Sequence, residues 1–491
     1  MEILGDKLDL IRMSISFFIP EIILCVGIIV IIMIGLINKE NQTLLSFASL
    51  GIVAVSLWFG IIQQQHHILP AHLFVGMLKV DGFSNYLKTL IDVGTLLTVW
   101  MSWRNQKKQQ YLSEYYVLIL SVVLGSHLLL MSENLIMVFI SIELISISSY
   151  ILAGSSFSRK GSEGSLKYFL FGSVASAVML YGFSILYGLT GSLDFSSFIN
   201  SDMLKNTALF RIAGFMALVG FFYKIAAAPL HLWSPDVYEA APMPVVAFFS
   251  VIPKLAGMGV LAKFILTLSL MSQSAYPWQI ILCAVAMLSI TVGNFSALWQ
   301  KNVKRLMAYS SIAQSGFLLI GLAAFLGQGI HYMLFYATVY MIMNFVVFIF
   351  LQQFESQGLH DINSFNGVGR SQPWPSIFLF IGLISLTGLP PTAGFMGKLF
   401  IFSSLWESYQ LSQQPILLWL FIFGLLNTVV SLFYYLRIPY YAFIKSGKSN
   451  IKTNILTFEN LLGLILVVAI VYLFFNPEML MGWINKINFV L

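Results

Sequence analysis

Cysteine and charge are what this chain most lacks. Its 491 residues include two cysteines, Cys25 and Cys283, both inside apolar stretches. Two thiols cannot supply a disulfide framework, an iron–sulfur cluster or a cysteine-rich zinc site, so any electron transfer belongs to another chain. Charged residues make up 9% of the sequence, against about 25% in a soluble domain, too few to cover a water-exposed surface. There is no Walker A loop, HExxH pair or Gly-x-Ser-x-Gly elbow, and Gly257-Met-Gly259 and Gly367-Val-Gly369 complete no dinucleotide fingerprint. The net charge of +6 comes from Lys and Arg in short loops between apolar segments. No basic run is interleaved with aromatics, so nucleic acid is not an expected partner.

What the chain has in abundance is apolar side chain, 58% of residues, with a mean hydropathy of +0.86. That composition implies a lipid bilayer as solvent. Lipid leaves only helices or closed barrels, and these runs are too long and continuous for strands. The expected fold class is therefore all-α: a polytopic membrane protein with about fourteen transmembrane helices of roughly 20 residues each. The runs lie near 15–37, 43–62, 81–103, 114–132, 134–154, 164–189, 207–229, 243–268, 277–299, 305–326, 330–351, 375–405, 414–440 and 459–476. No long polar linker separates them, so 1–491 reads as a single transmembrane domain. The first run exceeds a signal-peptide core and lacks a small-residue cleavage site, which makes it a retained helix. Lys39, Arg104, Arg159, Lys160, Lys301 and Arg437 share one set of alternate loops. That side is expected to be cytoplasmic, with both termini outside.

Two of the runs read as broken helices. In helix 7, Gly220-Phe-Phe-Tyr-Lys224 leads into Ala-Ala-Ala-Pro229, and in helix 12, Gly388-Leu-Pro390-Pro391 precedes Gly394-Phe-Met-Gly-Lys398. Proline removes a backbone donor and clashes with the preceding turn. Unwound backbone at membrane depth survives only within protein or beside a polar cavity. Both places contain Gly-Phe-x-x-Lys, and the two helices are an odd number of spans apart. This is the logic of two inverted five-helix repeats, helices 4–8 (114–268) and 9–13 (277–440). The helices before 132 (15–132) and the last helix (459–476) complete the chain.

Ionisable residues deep in a membrane are costly, and their default reading is functional. Glu143, Lys224, Lys254 and Lys398 are the deepest, and Ser146 and Tyr150 continue the helical face of Glu143. A lysine that moves between an apolar and a carboxylate-facing environment loads and releases a proton, so one Glu and three Lys compose a proton relay. Static ion pairs that glue helices together are the competing reading, and the excess of lysine over glutamate counts against it. Lys88 and Asp92, four residues apart, read as a self-neutralising pair. Lys263 reads as snorkelling to the outer interface, and His127 as a buried, hydrogen-bonded histidine. His331 opens helix 11 and is a candidate for the end of an outward half-channel, with Tyr336, Tyr340 and Asn344 following at four-residue spacing.

The segment Pro229-Leu-His-Leu-Trp-Ser-Pro-Asp-Val-Tyr-Glu-Ala-Ala-Pro-Met-Pro244 resembles the signature of the antiporter-like subunits of respiratory complex I, NADH:quinone oxidoreductase. The resemblance extends through Lys167-Tyr-Phe-Leu-Phe-Gly, Lys301-Asn-Val-Lys-Arg-Leu-Met-Ala-Tyr-Ser-Ser-Ile312, Gly388–Lys398 and Asn427–Arg437, covering about 75–445. The Asp-Val-Tyr-Glu wording and Lys398 point to the N branch of the family rather than its L and M sisters. The resemblance implies the fourteen-helix fold with two inverted repeats. It also implies proton translocation through Glu143, Lys224, Lys254 and Lys398, coupled to electron transfer elsewhere. NAD, flavin, iron–sulfur clusters and quinone would be held by partner subunits and none by this chain. Its partners would be the other membrane and peripheral subunits of complex I, including the sister antiporter-like subunits, in the inner membrane of a bacterial cell. His127 and the Gln63–His67 run match no family feature. A subunit of a multi-subunit sodium/proton antiporter remains the alternative.

Overall fold

A computed structural model describes residues 12, 14–37, 41–65, 71–104, 111–195, 208–271, 276–324, 327–447 and 457–487. Lys39, His66, His67 and both chain ends lie outside the described residues. The described chain is nearly all helical, and eleven of its helices are long and apolar enough to cross a membrane. It divides into two compact units, Met1–Ile225 with Ala240–Trp278 and Ile487–Leu491, and Ala226–Glu239 with Gln279–Lys486.

The first unit contains helices α1 (Ile19–Ile37), α2 (Gln42–Gln65), α3 (Gly82–Arg104), α4 (Leu112–Met131), α5 (Leu135–Ala153), α6 (Arg159–Thr190), α7 (Ala208–Lys224) and α9 (Met243–Met271). α9 is buried all round and packs against α3, α4 and α7. α3, at 23 residues, is too polar to count among the eleven, yet its Asp92, Thr95, Thr98 and Ser102 are buried inside the unit. A two-stranded antiparallel hairpin, β1 (Ala71–Leu73) and β2 (Leu78–Val80), interrupts the helical pattern. It is the exception to the all-α expectation. Strands of three residues, turning through Phe74, Val75 and Gly76 at positive φ, leave no periodicity to read.

The second unit holds most of α8 (Trp233–Ala240), then α10 (Tyr276–Leu298), α11 (Val303–Ala323), α12 (Gly329–Glu355), the short α13 (Val368–Ser371), α14 (Pro373–Thr387), α15 (Ala393–Ser412), α16 (Pro415–Pro439), α17 (Phe458–Phe475) and α18 (Pro477–Ile484). The expected break in helix 12 is the gap between α14 and α15. Gly388, at φ +85°, ends α14 in a left-handed conformation that a residue with a Cβ adopts only at a cost. The break in helix 7 follows Lys224, the last residue of α7. Before it, the Ile225 amide still bonds the Phe221 carbonyl.

The two units share internal detail. Asn134 caps α5 by accepting from the Ile136 amide, and Asn302 caps α11 by accepting from the Arg305 amide. Next to Asn134, the Leu135 amide bonds Leu193 O and the Phe195 amide bonds Glu133 O. Next to Asn302, the Val303 amide bonds His360 O and the Ile362 amide bonds Lys301 O. Gly125 of α4 lies against Ile145 N and Ser141 O of α5, as Gly293 of α10 lies against Ala313 N and Tyr309 O of α11. Each second-unit residue on these helices follows its counterpart by 168 positions (125 to 293, 134 to 302, 141 to 309, 145 to 313).

At Gly293 a Cβ would sit 2.6 Å from Ala313 N and 2.7 Å from Tyr309 O, whereas at Gly188 it would meet nothing within 4 Å. Gly293→Ala is therefore expected to destabilise the detergent-solubilised protein by about 1–3 kcal/mol, and Gly188→Ala to leave it unchanged or slightly more stable. Thermal unfolding of the two variants checks this, and equal midpoints would contradict the close packing.

Candidate functional site

In the first unit the candidate site forms where α7 ends. The Lys224 side chain is 2% exposed, and its Nζ donates to Ser146 Oγ at 3.1 Å. Ser146 stands three residues beyond Glu143 on α5, so the helix turn brings the lysine to the glutamate's face. Glu143 is half-buried, and its Oε1 has no hydrogen-bond partner among the described residues. The carboxylate thus acts on Lys224 through its charge rather than through a direct ion pair. Tyr150, one turn past Ser146, packs edge-on to Tyr168 with ring centroids 4.7 Å apart, and Tyr223 OH donates to Tyr168 O at 2.6 Å. Gly172 of α6 makes room for them, since a Cβ there would collide with the Tyr150 hydroxyl.

Lys254 belongs to the same unit. It is 1% exposed on α9 and follows Pro253, which withholds a hydrogen bond from the Phe249 carbonyl. Gly257, three residues on, lets α9 approach α7, because a Cβ there would meet Ile225 Cγ2 at 2.8 Å and Lys224 Cβ and Cγ at 3.7 Å. Glu143, Lys224 and Lys254 therefore lie on three helices of one packed unit.

Lys398 lies in the second unit, 4% exposed. Its Nζ donates to Thr387 O at 2.7 Å and Leu386 O at 3.2 Å and stands 4.2 Å from the Phe317 ring centroid. The helix break leaves these last-turn carbonyls of α14 without intrahelical donors, and the ammonium takes them directly. The Gly-Phe-x-x-Lys echo accordingly falls on opposite sides of the two breaks. Lys224 closes the half-helix before its break, and Lys398 rides on the half-helix after its own.

The Leu386 carbonyl also accepts from Gln314 Nε2 at 3.0 Å, and Tyr336 OH donates to Gln314 Oε1. Tyr340 OH and Tyr238 OH both reach Ser311 Oγ, at 3.1 and 3.3 Å, and Asn344 Nδ2 donates to Tyr340 O at 2.8 Å. His331 is half-buried at the third residue of α12. Two residues of the signature segment, Asp236 and Glu239, are tied to Arg305 Nη1 at 2.8 and 3.1 Å.

Two readings from sequence are corrected. Lys88 does not neutralise Asp92. It pairs with Glu21 of α1 at 2.7 Å, while Asp92 Oδ2 accepts from Ser56 Oγ of α2 at 3.0 Å. Lys263 does not snorkel; it is 2% exposed and lies 3.4 Å from Asp81 and 3.3 Å from Glu133. Glu21, at the start of the first helix, gave no signal beyond an acid beside an apolar run.

Gly388 is the backbone position on which Lys398 depends, since a Cβ there would sit 2.7 Å from Lys398 Cδ. Gly388→Ala adds that clash to a positive φ and is expected to cost about 1–3 kcal/mol. Gly358→Ala, also at positive φ but with nothing within 4 Å, isolates the backbone part. Equal losses in the two variants, read as unfolding midpoints, would show that Gly388 does not hold Lys398 in place.

Residues 132–431 match the family model described as NADH:quinone oxidoreductase/Mrp antiporter, TM. The chain is 37% identical, over 96% of its length and 94% of the relative's, to NADH-quinone oxidoreductase subunit N 2 of Chloroherpeton thalassium. Among solved structures it resembles a chain of respiratory complex I from Thermus thermophilus, with a TM-score of 0.79, 28% identity and coverage of 94% and 98% of the two chains. A chain of the Mrp complex from Dietzia shares the fold, at TM-score 0.81 and 17% identity, covering 95% of this chain and 96% of that one. A match over more than half of the chain and 37% identity along nearly all of it place this chain in the NADH:quinone oxidoreductase/Mrp antiporter transmembrane family, among its subunit N members.

Proposed function

We propose that this chain translocates protons across the bacterial inner membrane as a subunit of an NADH:quinone oxidoreductase, and that Glu143, Lys224, Lys254 and Lys398 are its relay. One observation carries the reading. Lys224 is buried at the end of a broken helix, bonded to the serine one turn from Glu143 and unpaired with it. A static brace would close that pair. A relay keeps it open, so that the proton affinity of the lysine changes with the charge beside it.

The same reading extends to architecture. Adding α3 and the two broken helices to the eleven apolar ones gives fourteen spans. The matched caps and helix-packing glycines, 168 residues apart, support two repeats, and an offset of five helices, an odd number, would make the repeats inverted. The basic loops containing Arg159, Lys160, Lys301 and Arg437 would face the cytoplasm, with both termini outside. Lys254 and Lys398 would continue the relay begun at Lys224, and His331 would end an outward half-channel.

NAD, flavin, iron–sulfur clusters and quinone belong to partner subunits in this reading, and this chain's work is electrostatic. Moving one charge against 100 mV costs about 2.3 kcal/mol, and one pKa unit corresponds to roughly 1.4 kcal/mol. Coupled changes of about two units in lysine proton affinity therefore suffice for a potential of that size. Exchange with sodium, as an antiporter subunit would perform, is the alternative. The 37% identity to a subunit N against 17% to the Mrp chain favours the oxidoreductase.

Glu143→Gln in the reconstituted complex is expected to lower protons moved per NADH while the complex still assembles. Lys398→Met should also lower transport, and Lys398→Glu should retain part of it, because an ionisable group remains. The check is lumen acidification of proteoliposomes per NADH oxidised. Wild-type ratios in a fully assembled Glu143→Gln complex would overturn the relay.

A further inference from the structure

Away from the relay, four ionisable side chains from three helices meet inside the first unit. Glu21 of α1, Lys88 and Asp92 of α3 and His127 of α4 are each at most 2% exposed. Lys88 Nζ is 2.7 Å from Glu21 Oε1. His127 lies between the carboxylates, with Nδ1 hydrogen-bonded to Glu21 Oε1 at 3.2 Å and Nε2 at 3.2 Å from Asp92 Oδ1. The second approach lacks hydrogen-bond alignment.

A neutral imidazole has one N–H and one lone pair, whereas an imidazolium donates from both nitrogens. With carboxylates at both nitrogens, either neutral tautomer turns a lone pair towards an anion. Adding one proton removes that repulsion and brings the formal charge of the four groups from −1 to zero. In a lipid-embedded interior this difference is large. A brace needs only the Glu21–Lys88 pair; it gives no part to an imidazole placed between two acids.

A buried polar face adjoins the cluster. Asp81, Asn85, Lys88, Asp92, Thr95 and Ser102 lie at three-, four- and seven-residue spacings along one buried face of α3 and the residue before it. Glu21 Oε2 and Asn85 Oδ1 are buried acceptors without a hydrogen-bond partner among the described residues, which suits them to water or a passing proton. At the outer end of this face, Asp81 and Glu133 flank Lys263 with side chains 8% and 10% exposed.

We propose that this cluster is a second proton-binding site, in which His127 takes up one proton at Nε2, facing Asp92, and returns it along the polar face of α3. Uptake forms one N–H bond at Nε2 with a proton drawn from water. Release breaks that bond and passes the proton to the Asp92 carboxylate and on to water. The other ionisable groups on elements packed against α4 are Cys25 on α1, Lys79 on β2, Tyr86 and Arg104 on α3, Glu143 and Tyr150 on α5, and Lys254 and Lys263 on α9. The site is therefore placed to act on the helix that carries Lys254. Gly259 of α9 admits Leu87 and Leu130, neighbours of Lys88 and His127.

The test uses the assembled complex in proteoliposomes, on the reading that this chain is its proton-moving subunit. Protons moved per NADH are measured from about pH 6 to 9 for wild type, His127→Gln, Asp92→Asn and Glu143→Gln, with infrared pH-difference spectra of the same samples. Asp92→Asn removes one anion from the imidazole, so the proton is held less tightly and the histidine-dependent limb moves about one pH unit or more to the acid side. His127→Gln abolishes that limb and its imidazolium band. A purely structural cluster would alter assembly or thermal stability and leave both pH readouts in place. Should His127→Gln fail to assemble, the near-isosteric Asp92→Asn decides alone. Wild-type pH profiles and spectra in the cluster variants, beside lost transport in Glu143→Gln, would overturn the second site and leave the relay standing. Unchanged transport in Glu143→Gln would reject the relay instead.

Discussion

The ammonium group of Lys398, bonded to the carbonyls of Thr387 and Leu386, is the interaction around which the second unit is organised. A helix end inside lipid-embedded protein leaves carbonyls unsatisfied, and a lysine inside it lacks acceptors. Each deficit answers the other. Gly388 supplies the turn, and Gly394 lets the two half-helices cross closely, because a Cβ there would run into the Ser385 carbonyl. Among the described residues, the arrangement holds a charged side chain without a carboxylate partner. It leaves proton affinity adjustable by whatever charge approaches.

Lys224 meets the same problem in another way. It closes the half-helix before its break and bonds a serine hydroxyl, with a glutamate one turn before that serine on the neighbouring helix. A hydroxyl both accepts and donates, so Ser146 can serve the lysine in either protonation state. The two units thus share a framework of asparagine caps and helix-packing glycines while differing at the lysine. Such a framework is what an internal repeat would preserve.

Much of this was legible in the sequence. Long apolar runs gave the helices, prolines gave the breaks, and Glu143, Lys224, Lys254 and Lys398 stood out as charges in apolar surroundings. Elsewhere the sequence misleads, because partners come from distant helices. Lys88 and Asp92 satisfy the spacing of a helical pair, yet each bonds to another helix, and Glu21 lies more than sixty residues before either in the chain. Lys263 has the length to snorkel, but Asp81 and Glu133 reach it first. The hairpin at 71–80 is too short for any pattern. The shared Gly-Phe-x-x-Lys wording marks both breaks and falls on opposite sides of them.

The proposed relay makes one physical demand: at least one buried lysine must give up its proton during turnover. Lys224 is the most direct place to ask, because methionine keeps its length and apolar packing while removing the exchangeable group. The measurement is the number of protons delivered to the lumen per NADH oxidised by an assembled Lys224→Met complex in sealed proteoliposomes. The account predicts a complex that assembles, oxidises NADH more slowly than wild type and delivers fewer protons for each NADH. Wild-type proton delivery from that complex would contradict it.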